Sequence, residues 1–534
     1  MIDSIAVKNY KAFKDAELNI KPITILLGAN SVGKSSLLQL LLLLKQTATF
    51  GSTTDKVPLK MYGPFTNMGA IENLFHNKNT KAVLDFTITF RNEKLLKEIA
   101  VLRTDFIKFI NSIPYFFPIR ELLDLRQDSI STSSKNGDNN RTMFHRHTKD
   151  IFNILKAENI HDYRETLGFI VRNQTEIAPT DIFNSSVDAL MSTYDFLSSF
   201  QFPGTKKELA KNTVSISLCK KEKGLGVCGM RISVNEKNLF NFDSLESFKV
   251  FSPSCKVSDA DSGYVKQRFN MYTNIFDMFN CCKSKAVEEQ SSTLANYMVA
   301  VANVFLKYLK AEFNPSLIQH IKPLRANPQR YYVIDDEKLT PYASTLDGDR
   351  LIEILRDNEV VRNKVNEWLK PYNVSIKIVL SEDVIHHIKI VQDNVELDIP
   401  DVGFGISQIL PILVQAYCSP KNTITIIEQP EIHLHPVLQA DVADLLRQSA
   451  GIDKPIIIET HSEYLLRRIR RRVATKEMKS DDISINLLKG KNNERDYTEM
   501  EQLDMSNTGA FEWPTDYYDG ELYRDIIEYI SAQQ

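Results

Sequence analysis

The chain has 534 residues, which is enough to bury more than one hydrophobic core. Hydrophobic residues make up 43% and charged residues 25%, and the formal net charge of -3 excludes a global electrostatic attraction to nucleic acid or membranes. The six cysteines lack metal-site spacing, and the apolar run Leu37 to Leu44 is less than half of the roughly 20 residues that a membrane span needs. We expect a cytoplasmic protein with at least two lobes and no membrane contact.

Continuous apolar runs near both ends of the chain predict buried strands. Ile5 to Val7 is apolar and alternating, Ile23 to Leu27 is a continuous run, and the short runs Thr423 to Ile427 and Pro455 to Ile458 follow much later. Most of these runs lead directly into a polar motif, as parallel strands of an α/β fold do. The sequence therefore predicts a parallel sheet assembled from both ends of the chain.

Alternating apolar and polar residues predict a second kind of sheet. The alternation occurs at Val83 to Phe90 and Val214 to Leu218, and Val374 to Leu380 with Ile385 to Val391 has the spacing of a hairpin. Alternation is typical of antiparallel strands with one solvated face. We expect an added antiparallel sheet beside the parallel one.

The middle of the chain is mostly helix-like with irregular spacing. Its polar stretch Gln127 to Thr142 is typical of an exposed loop, and no heptad pattern persists, so a compact helical arm is expected. The predicted division is an N-terminal lobe at 1–91, a mainly helical insert at 92–320 with some strands at about 214–234, and a C-terminal lobe at 321–534.

The motif GANSVGKS at Gly28 to Ser35 matches the phosphate-loop pattern GxxxxGK[ST], with a predicted strand before it and a helix after it. Glycines let successive backbone N–H groups face an anion, and the helix adds its positive N-terminal end. Lys34 is expected to reach the β- and γ-phosphates, and the Ser35 hydroxyl is expected to bind Mg²⁺. The sequence therefore predicts an ATP site.

The strand predicted at Thr423 to Ile427 leads into an acidic residue, Glu428, where a carboxylate would hold Mg²⁺ opposite the phosphate loop. Two residues that follow, Gln429 and Glu431, are alternative candidates for orienting the attacking water. His433 and His435 are two apart, whereas same-face helical neighbours are three or four apart, so we favour a loop contact across a subunit boundary over zinc.

Two further motifs lie near these sites in the sequence. PIIIETHS, Pro455 to Ser462, places His461 after a third core strand, where it could sense the γ-phosphate. DVGFGISQILPIL places Ser407 and Gln408 in the first turn of an apolar helix, which is either an anion-binding turn or only a glycine-marked helix start.

The helix RRIRRR, Arg467 to Arg472, follows the histidine motif and has five arginines in six residues. Such a run could neutralise the phosphates of a nucleic acid or bind an acidic partner. Charge runs are more often solvated helix faces, and the sequence leaves both interpretations open.

These motifs, in this order, resemble the ABC-type ATPase heads of chromosome-maintenance, recombination-repair and OLD-type (overcoming-lysogenization-defect) proteins. The opening KNYKAFKDAELNIKPITILLGANSVGKSS resembles the start of OLD-like ATPases, and EQPEIHLHP followed by ETHSEYLL is more specific. IKPLRANPQRYY, DGDRLIEIL and FEWPTDYYDG are similar to a bacterial subgroup of stand-alone ATPases, several of which act in anti-phage systems. The resemblance covers about residues 1–90 and 320–534.

The resemblance implies an α/β fold of a particular kind: an ABC-type P-loop ATPase head with a mixed sheet, flanking helices, an antiparallel subdomain and a helical insert. Its cofactors would be ATP and Mg²⁺, with Glu428 as the Walker B acid and His461 as the switch histidine. The implied Walker A residues are Gly28, Ala29, Asn30, Ser31, Val32, Gly33, Lys34, Ser35 and Ser36, and the implied signature loop is Gly403 to Gln408 with Gly405 and Ser407.

In such heads the signature loop of one subunit covers the ATP that the other subunit holds, so a head-to-tail homodimer is implied. Two positions depart from the usual pattern. The loop reads VGFGISQ instead of LSGGQ, and we take Ser407 as the hydroxyl that reaches the partner's phosphate. Gln429 stands where most relatives have a catalytic glutamate, which predicts slow hydrolysis unless Glu431 supplies the base.

The resemblance also implies a biological function, in which an ATP-held dimer regulates a separate nuclease in antiviral defence. In the subgroup's Septu systems the partner is an HNH-family nuclease, and in some retrons a reverse transcriptase with its RNA–DNA is added. An alternative is a DNA-repair ATPase, similar to chromosome-maintenance heads, that acts directly on DNA. A self-contained OLD-type nuclease is less favoured, because we see no acidic metal-binding domain after His461.

Overall fold

The computed structural model describes residues 1–51, 56–112, 187–200, 209–279, 292–325, 328–333, 348–382, 384–511, 528 and 530–532. The predicted loop Gln127 to Thr142 and nearly all of the FEWPTDYYDG segment lie outside the described residues. The chain forms two compact units. The first contains Met1–Gly51, Leu59–Phe86 and Ala311–Gln534, and the second contains Ser52–Pro58 and Thr87–Lys310.

The strands, in chain order, are β1 (Ile2–Tyr10), β2 (Phe13–Asn19), β3 (Ile23–Gly28), β4 (Leu84–Arg91), β5 (Lys211–Lys221), β6 (Gly224–Val234), β7 (Lys237–Asp243), β8 (Lys249–Phe251), β9 (Ile318–Ile321), β10 (Tyr332–Val333), β11 (Val374–Glu382), β12 (Ile385–Gln392), β13 (Val395–Asp398), β14 (Ile424–Glu428), β15 (Ile456–Glu459), β16 (Ile483–Lys489) and β17 (Glu499–Leu503).

The α-helices flank these strands. They are α1 (Lys34–Phe50), α2 (Glu93–Ser112), α3 (Val187–Ser198), α4 (Asp259–Arg268), α5 (Thr293–Glu312), α6 (Gly348–Asp357), α7 (Glu359–Leu369), α8 (Phe404–Cys418), α9 (Pro436–Ser449) and α10 (Glu463–Ala474). Short 3₁₀ turns occur at Ile71–Leu74, His76–Lys78, Pro315–Leu317, Lys370–Tyr372, Ile399–Asp401 and Ser480–Asp482.

The centre of the first unit is a sheet with the strand order β17-β16-β3-β15-β14-β9. All neighbours in it are parallel except β17, which pairs antiparallel with β16. The runs ITILLG of β3 and IIIE of β15 are buried along their whole length, as parallel strands covered on both faces must be. Apolar side chains of β3, β14, β15 and β16 form one core with those of α8, α9 and α10.

Antiparallel strands complete the first unit. β1 and β2 form a hairpin in which Ser4 lies opposite Asn19 and Tyr10 opposite Phe13. The predicted hairpin of β11 and β12 is confirmed, and β10 and β13 pair with β12 to make a separate small sheet. Helix α7 packs its buried Val361 and Val365 into the same core as this small sheet.

The second unit contains more strand than the sequence predicted. β5 to β8 form an antiparallel meander that continues to Phe251, beyond the expected limit of about 234. Thr87 at the start of this unit donates its hydroxyl to Ser215 of β5, at 2.9 Å. Helices α2, α3, α4 and most of α5 also belong to this unit.

The predicted α/β class with a mixed sheet, flanking helices and antiparallel strands is confirmed. One detail is wrong: the alternating segments do not form one added sheet, because β11 and β12 lie in a different sheet from β5. Sequence alternation identifies a strand but not its partner. The lobe boundaries at 91 and 320 stay a prediction. Within the described ranges no helix is both long and apolar enough to cross a membrane.

Candidate nucleotide-binding site

The phosphate loop follows directly from β3, and its glycines are required by its backbone. Gly28 has φ +141° and Gly33 has φ +106°, which side-chain-bearing residues rarely adopt. A Cβ on Gly28 would lie 2.5 Å from the carbonyl oxygen of Leu488, and one on Gly33 would lie 3.0 Å from the ring of Phe13. The loop therefore turns tightly between β3 and α1, which begins at Lys34.

Lys34 is buried and folds back into this loop. Its Nζ donates to the carbonyl oxygens of Gly28 at 2.9 Å and Ala29 at 2.7 Å, and it lies 4.0 Å from Oε1 of Glu459. Burial lowers the pKa of Lys34, and the negative charges of Glu459 and Glu431 act in the opposite direction. The amine is thus placed where the loop would cradle phosphates.

Ser35 contacts a carboxylate that sequence reasoning missed. Its hydroxyl donates to Oε2 of Glu459 at 2.9 Å, and Glu459 ends β15, the strand that pairs directly with β3. Burial raises the pKa of Glu459, while its hydrogen bond from Ser35 lowers it. A signal was present in the sequence, because IIIE of β15 repeats the pattern of an apolar strand that ends in an acid, as ITIIE of β14 does.

Glu428 ends β14 and lies opposite Glu459 in the parallel register. Its Oε1 is 2.6 Å from Nε2 of His320, a buried residue of β9 that sequence reasoning also missed. Hydroxyl and carboxylate oxygens are the protein ligands that suit Mg²⁺, and Ser35, Glu428 and Glu459 supply them at one sheet edge. This donor set fits the predicted metal.

The two candidates for orienting water occupy different positions. Gln429 has φ +45°, and its N–H donates to the carbonyl oxygen of Glu459 at 2.7 Å. The carboxylate of Glu431 accepts from the Thr460 hydroxyl at 2.8 Å and from the N–H of His461 at 2.6 Å. Burial raises the pKa of Glu431. Glu431 therefore joins the loops that follow β14 and β15.

Two half-buried side chains near Glu431, those of His461 and Arg325, have buried nitrogen atoms without hydrogen-bond partners in the described part of the chain. Nε2 of His461 and both Nε and Nη1 of Arg325 are buried and have no hydrogen-bond partner among the described residues. Burial, and secondarily the charge of Lys34, lowers the pKa of His461. Buried polar groups are normally paired, so these atoms fit a site that is completed by an anionic ligand such as a nucleotide phosphate.

Comparison with known proteins shows the family of the chain. The family AAA_15, described as AAA ATPase domain, matches residues 1–466. The chain belongs to this family of AAA ATPase domains. No curated protein matches it.

Several solved structures of SMC heads are similar to this AAA_15 ATPase. An SMC head bound to the C-winged helix domain of ScpA is 10% identical, with a TM-score of 0.39, and covers 94% of this chain and 98% of that chain. The head domain from Thermotoga maritima is 9% identical, with a TM-score of 0.33 and coverage of 94% and 98%. A head with an extended coiled coil, bound to the C-terminal domain of ScpA derived from Pyrococcus furiosus, is 10% identical, with a TM-score of 0.34 and coverage of 99% of both chains.

The predicted signature segment of the AAA_15 ATPase begins α8, with Gly403 as the residue before the helix. Ser407 and Gln408 are buried, whereas a Cβ on Gly403 would meet no atom within 4 Å. A Cβ on Gly405 would lie 3.6 Å from the carbonyl oxygen of His433. The segment thus packs on the loop after β14.

The two neighbouring histidines of the AAA_15 ATPase lie at the start of α9. His435 precedes this helix, and its Nδ1 accepts from the N–H of Val437 at 3.4 Å. His433 is exposed and has φ +62°. In the part of the chain that the structure describes, no group of three or more His, Cys, Asp or Glu side chains is arranged to hold a metal ion.

The arginine-rich helix α10 makes several internal contacts. Arg468 donates to Asp441 at 2.9 Å and to Asp444 at 2.5 Å, and Arg472 donates to Asp444 at 2.6 Å and to Glu477 at 2.7 Å. Arg470 donates to the Gly509 carbonyl oxygen, and Arg467 pairs with Glu463. Only Arg467 and Arg471 of the five are exposed, so the surface charge available to a nucleic acid is smaller than the run RRIRRR suggests.

Proposed function

We propose that this AAA_15 chain is an ABC-type ATPase that binds ATP with Mg²⁺ and hydrolyses it slowly. The observation that carries the proposal is that Glu459 contacts both Lys34 and Ser35, while Glu428 lies opposite Glu459 on the neighbouring strand at the same edge of the core sheet. A nucleotide site needs both a cationic phosphate cradle and an acidic metal shell.

Each residue at this edge has its own role in the proposed mechanism. Lys34 would exchange its carbonyl contacts with the loop for phosphate oxygens, and Ser35 and Glu428 would hold Mg²⁺, whose charge would neutralise that of the phosphates. Gln429 orients the attacking water through its amide. His461 offers its buried, unpaired Nε2 to the γ-phosphate, as a switch histidine would.

Slow turnover follows from the chemistry of Gln429, because an amide can hydrogen-bond water but cannot accept its proton. A missing general base typically costs about 10²- to 10⁴-fold in rate. Glu431 is a poor substitute, since Thr460 and the N–H of His461 already engage its carboxylate. Gln429→Glu is expected to raise kcat by at least about tenfold. An unchanged rate for Gln429→Glu, together with loss of activity in Glu431→Gln, would assign the base to Glu431.

The proposal includes a head-to-tail homodimer in which each signature segment covers the partner's ATP. The space beside Gly403 is open, and the N-terminal end of α8 next to it has backbone N–H groups that could bind a phosphate. Ser407 is buried, so its predicted contact with the partner's phosphate would require this turn to rearrange. Size-exclusion chromatography with light scattering tests the dimer: Mg²⁺ and a β,γ-imido analogue of ATP should double the mass, and Gly403→Trp should prevent this.

The finer assignment is regulation of an effector nuclease in antiviral defence. The resemblance of both chain ends is strongest to PtuA, the ATPase of Septu and of some retron systems, which suggests an HNH-family nuclease partner and, in retrons, a reverse transcriptase with its RNA–DNA. Co-expression with a neighbouring nuclease gene and tagged purification test this role. Recovery of a stoichiometric complex supports it, whereas ATP hydrolysis stimulated by DNA alone would favour the DNA-repair alternative.

A further inference from the structure

We propose that Arg325 is a further nucleotide-binding residue, whose guanidinium contacts the γ-phosphate and makes the site prefer ATP to ADP. The inference deepens the proposed function and rests on it. Arg325 lies in the segment IKPLRANPQRYY, which resembles related ATPases but received no role from the sequence. Its position, its unpaired donor atoms and the charges around it support the new role.

Arg325 belongs to the same sheet edge as the phosphate loop. It follows β9, whose Ile321 lies opposite Ile427 of β14. The segments that follow these two parallel strands therefore leave the sheet side by side. Its Nη2 donates to the carbonyl oxygen of Gln429 at 3.1 Å. The N–H of Gln429 donates to the backbone carbonyl oxygen of Glu459 at 2.7 Å, and the side-chain Oε2 of Glu459 accepts from the Ser35 hydroxyl at 2.9 Å. Three successive hydrogen bonds therefore connect Arg325 to the helix that begins at the phosphate loop.

The guanidinium of Arg325 has two nitrogen atoms without hydrogen-bond partners among the described residues. Nη2 uses the carbonyl oxygen of Gln429, with that of Glu428 more distant at 3.5 Å, whereas Nε and Nη1 are buried and find no acceptor in the described part of the chain. A guanidinium presents five N–H donors in a planar fork that suits phosphate oxygens. If Arg325 only fixed the loop after β14, burying the remaining donors without partners would be unfavourable. An anionic ligand would satisfy them.

The edge carries charges of both signs, as a site for phosphates together with Mg²⁺ requires. Burial lowers the pKa of Arg325, and the negative charge of Glu431 raises it. The same charge also raises the pKa of Lys34. The carboxylate of Glu431 accepts from Thr460 and from the N–H of His461, and among the described residues no hydrogen bond joins it to Lys34 or Arg325. Lys34 and Arg325 are the cations that would contact phosphate oxygens, whereas Glu428 and Glu459 are the acids placed for Mg²⁺. The terminal phosphate is the one that ATP has and ADP lacks.

The test compares the affinities for ATP and ADP, which a purely structural role would change together. The variants are Arg325→Gln and Arg325→Lys. The matched control is Arg362→Gln on α7, because Arg362 also donates to two backbone carbonyls, of Leu355 at 2.8 Å and Arg356 at 3.2 Å. Calorimetry measures binding of Mg²⁺ with the β,γ-imido analogue of ATP, and of Mg²⁺ with ADP, by the full chain.

Loss of a charge-assisted contact predicts that Arg325→Gln binds the ATP analogue about 10- to 100-fold more weakly and ADP within about threefold of the wild type. The affinity of Arg325→Lys for the ATP analogue should lie between those of the wild type and Arg325→Gln, since lysine keeps the charge but lacks the planar fork of donors. Arg362→Gln should preserve the ratio of the two affinities. Circular dichroism and thermal melting without nucleotide show whether the variants fold. If Arg325→Gln does not fold, the affinities of Arg325→Lys for the two nucleotides provide the test.

Two results would overturn the inference while leaving the proposed function intact: an unchanged affinity for the ATP analogue in folded Arg325→Gln, or equal losses for both nucleotides. A wild-type chain that binds neither nucleotide would overturn the proposed function and this inference together. A selective loss for the ATP analogue supports both.

Discussion

The two buried lysines of α1 lie near opposite ends of the helix and have different neighbours. Lys34 begins the helix and lies beside Glu459, whereas Lys45, about three turns further along, is fully buried near the other end. Nζ of Lys45 donates to the carbonyl oxygen of Ile318 and lies 4.3 Å from the centre of the Phe65 ring. One lysine faces a cluster of acids and the other faces a carbonyl and an aromatic ring.

The difference shows that burial alone does not identify a site. Burial lowers the pKa of both amines, but for Lys34 the carboxylates of Glu459 and Glu431 oppose the shift. For Lys45 burial lowers the pKa to about 7, and no carboxylate of the described residues offsets it. A buried cation with acidic neighbours keeps the charge that phosphate binding needs, whereas one without them loses it near neutral pH.

The largest effect is expected from making the same substitution at both ends of α1. Lys34→Met should lower the rate of ATP hydrolysis on the order of 10²- to 10³-fold, because it removes a preorganised cation from the phosphates. Lys45→Met should change the rate by less than about threefold, and steady-state phosphate release measures both. If Lys45→Met were as inactive as Lys34→Met, neighbouring carboxylates would not explain which of the two lysines supports ATP hydrolysis.

Removing one acid from the cluster should have the next largest effect. Glu459→Gln should raise the Mg²⁺ concentration needed for half-maximal binding of the ATP analogue about 10- to 100-fold, because a supporting carboxylate next to Ser35 is lost. A Mg²⁺ titration of analogue binding provides the measurement. Glu477→Gln, which changes an exposed acid bound to Arg472, is the control. Identical titrations for Glu459→Gln and the wild type would remove Glu459 from the metal shell.

Stability at different pH values tests the environment of Lys45. Its pKa is about 7 in the folded chain and about 10.5 when solvated, so the unfolded chain binds more protons between these values. The free energy of unfolding of the wild type should therefore rise relative to Lys45→Met, by up to about 1.4 kcal/mol per pH unit, as pH increases from about 7.5 to about 9.5. Urea unfolding at several pH values checks this. Parallel pH curves would mean that Lys45 keeps an ordinary pKa.

The smallest effect is expected where cations are exposed. The double change Arg467→Glu and Arg471→Glu on α10 should alter the free energy of unfolding by less than about 0.5 kcal/mol and leave ATP binding unchanged. Denaturation and nucleotide titration measure these two quantities. Retention on immobilised DNA over a range of salt concentrations is the accompanying measurement. Loss of a salt-dependent interaction in the double variant would show that these arginines bind nucleic acid after all.

Sequence patterns predicted the strands and the phosphate loop because both are local. GANSVGKS is contiguous, and the apolar runs of β3, β14 and β15 need no knowledge of their neighbours. Glu459 was missed because its importance depends on β15 lying between β3 and β14. Had β14 been the neighbour of β3, Glu428 would be the acid nearest the phosphate loop. Strand order is a property of the packed sheet, and nothing in the spacing of the motifs fixes it.

His320 and Arg325 were missed for the same reason. Neither stands in an acidic or glycine-rich motif, and each becomes informative only when β9 pairs with β14 and places it against Glu428 or Gln429. The separate sheet of β11 and β12 is a parallel case, since alternation indicated strands without indicating their partners.

The sequence by itself determined that the chain carries a phosphate loop, strand-end acids and a histidine motif, because residue type and short-range spacing carry that chemistry. The tertiary structure alone decided which acid meets Ser35, which arginine is left with unpaired donors, and why Lys34 and Lys45 differ. Those outcomes depend on contacts between residues tens to hundreds of positions apart. Such contacts exist only once the strands of the core sheet have paired in their final order.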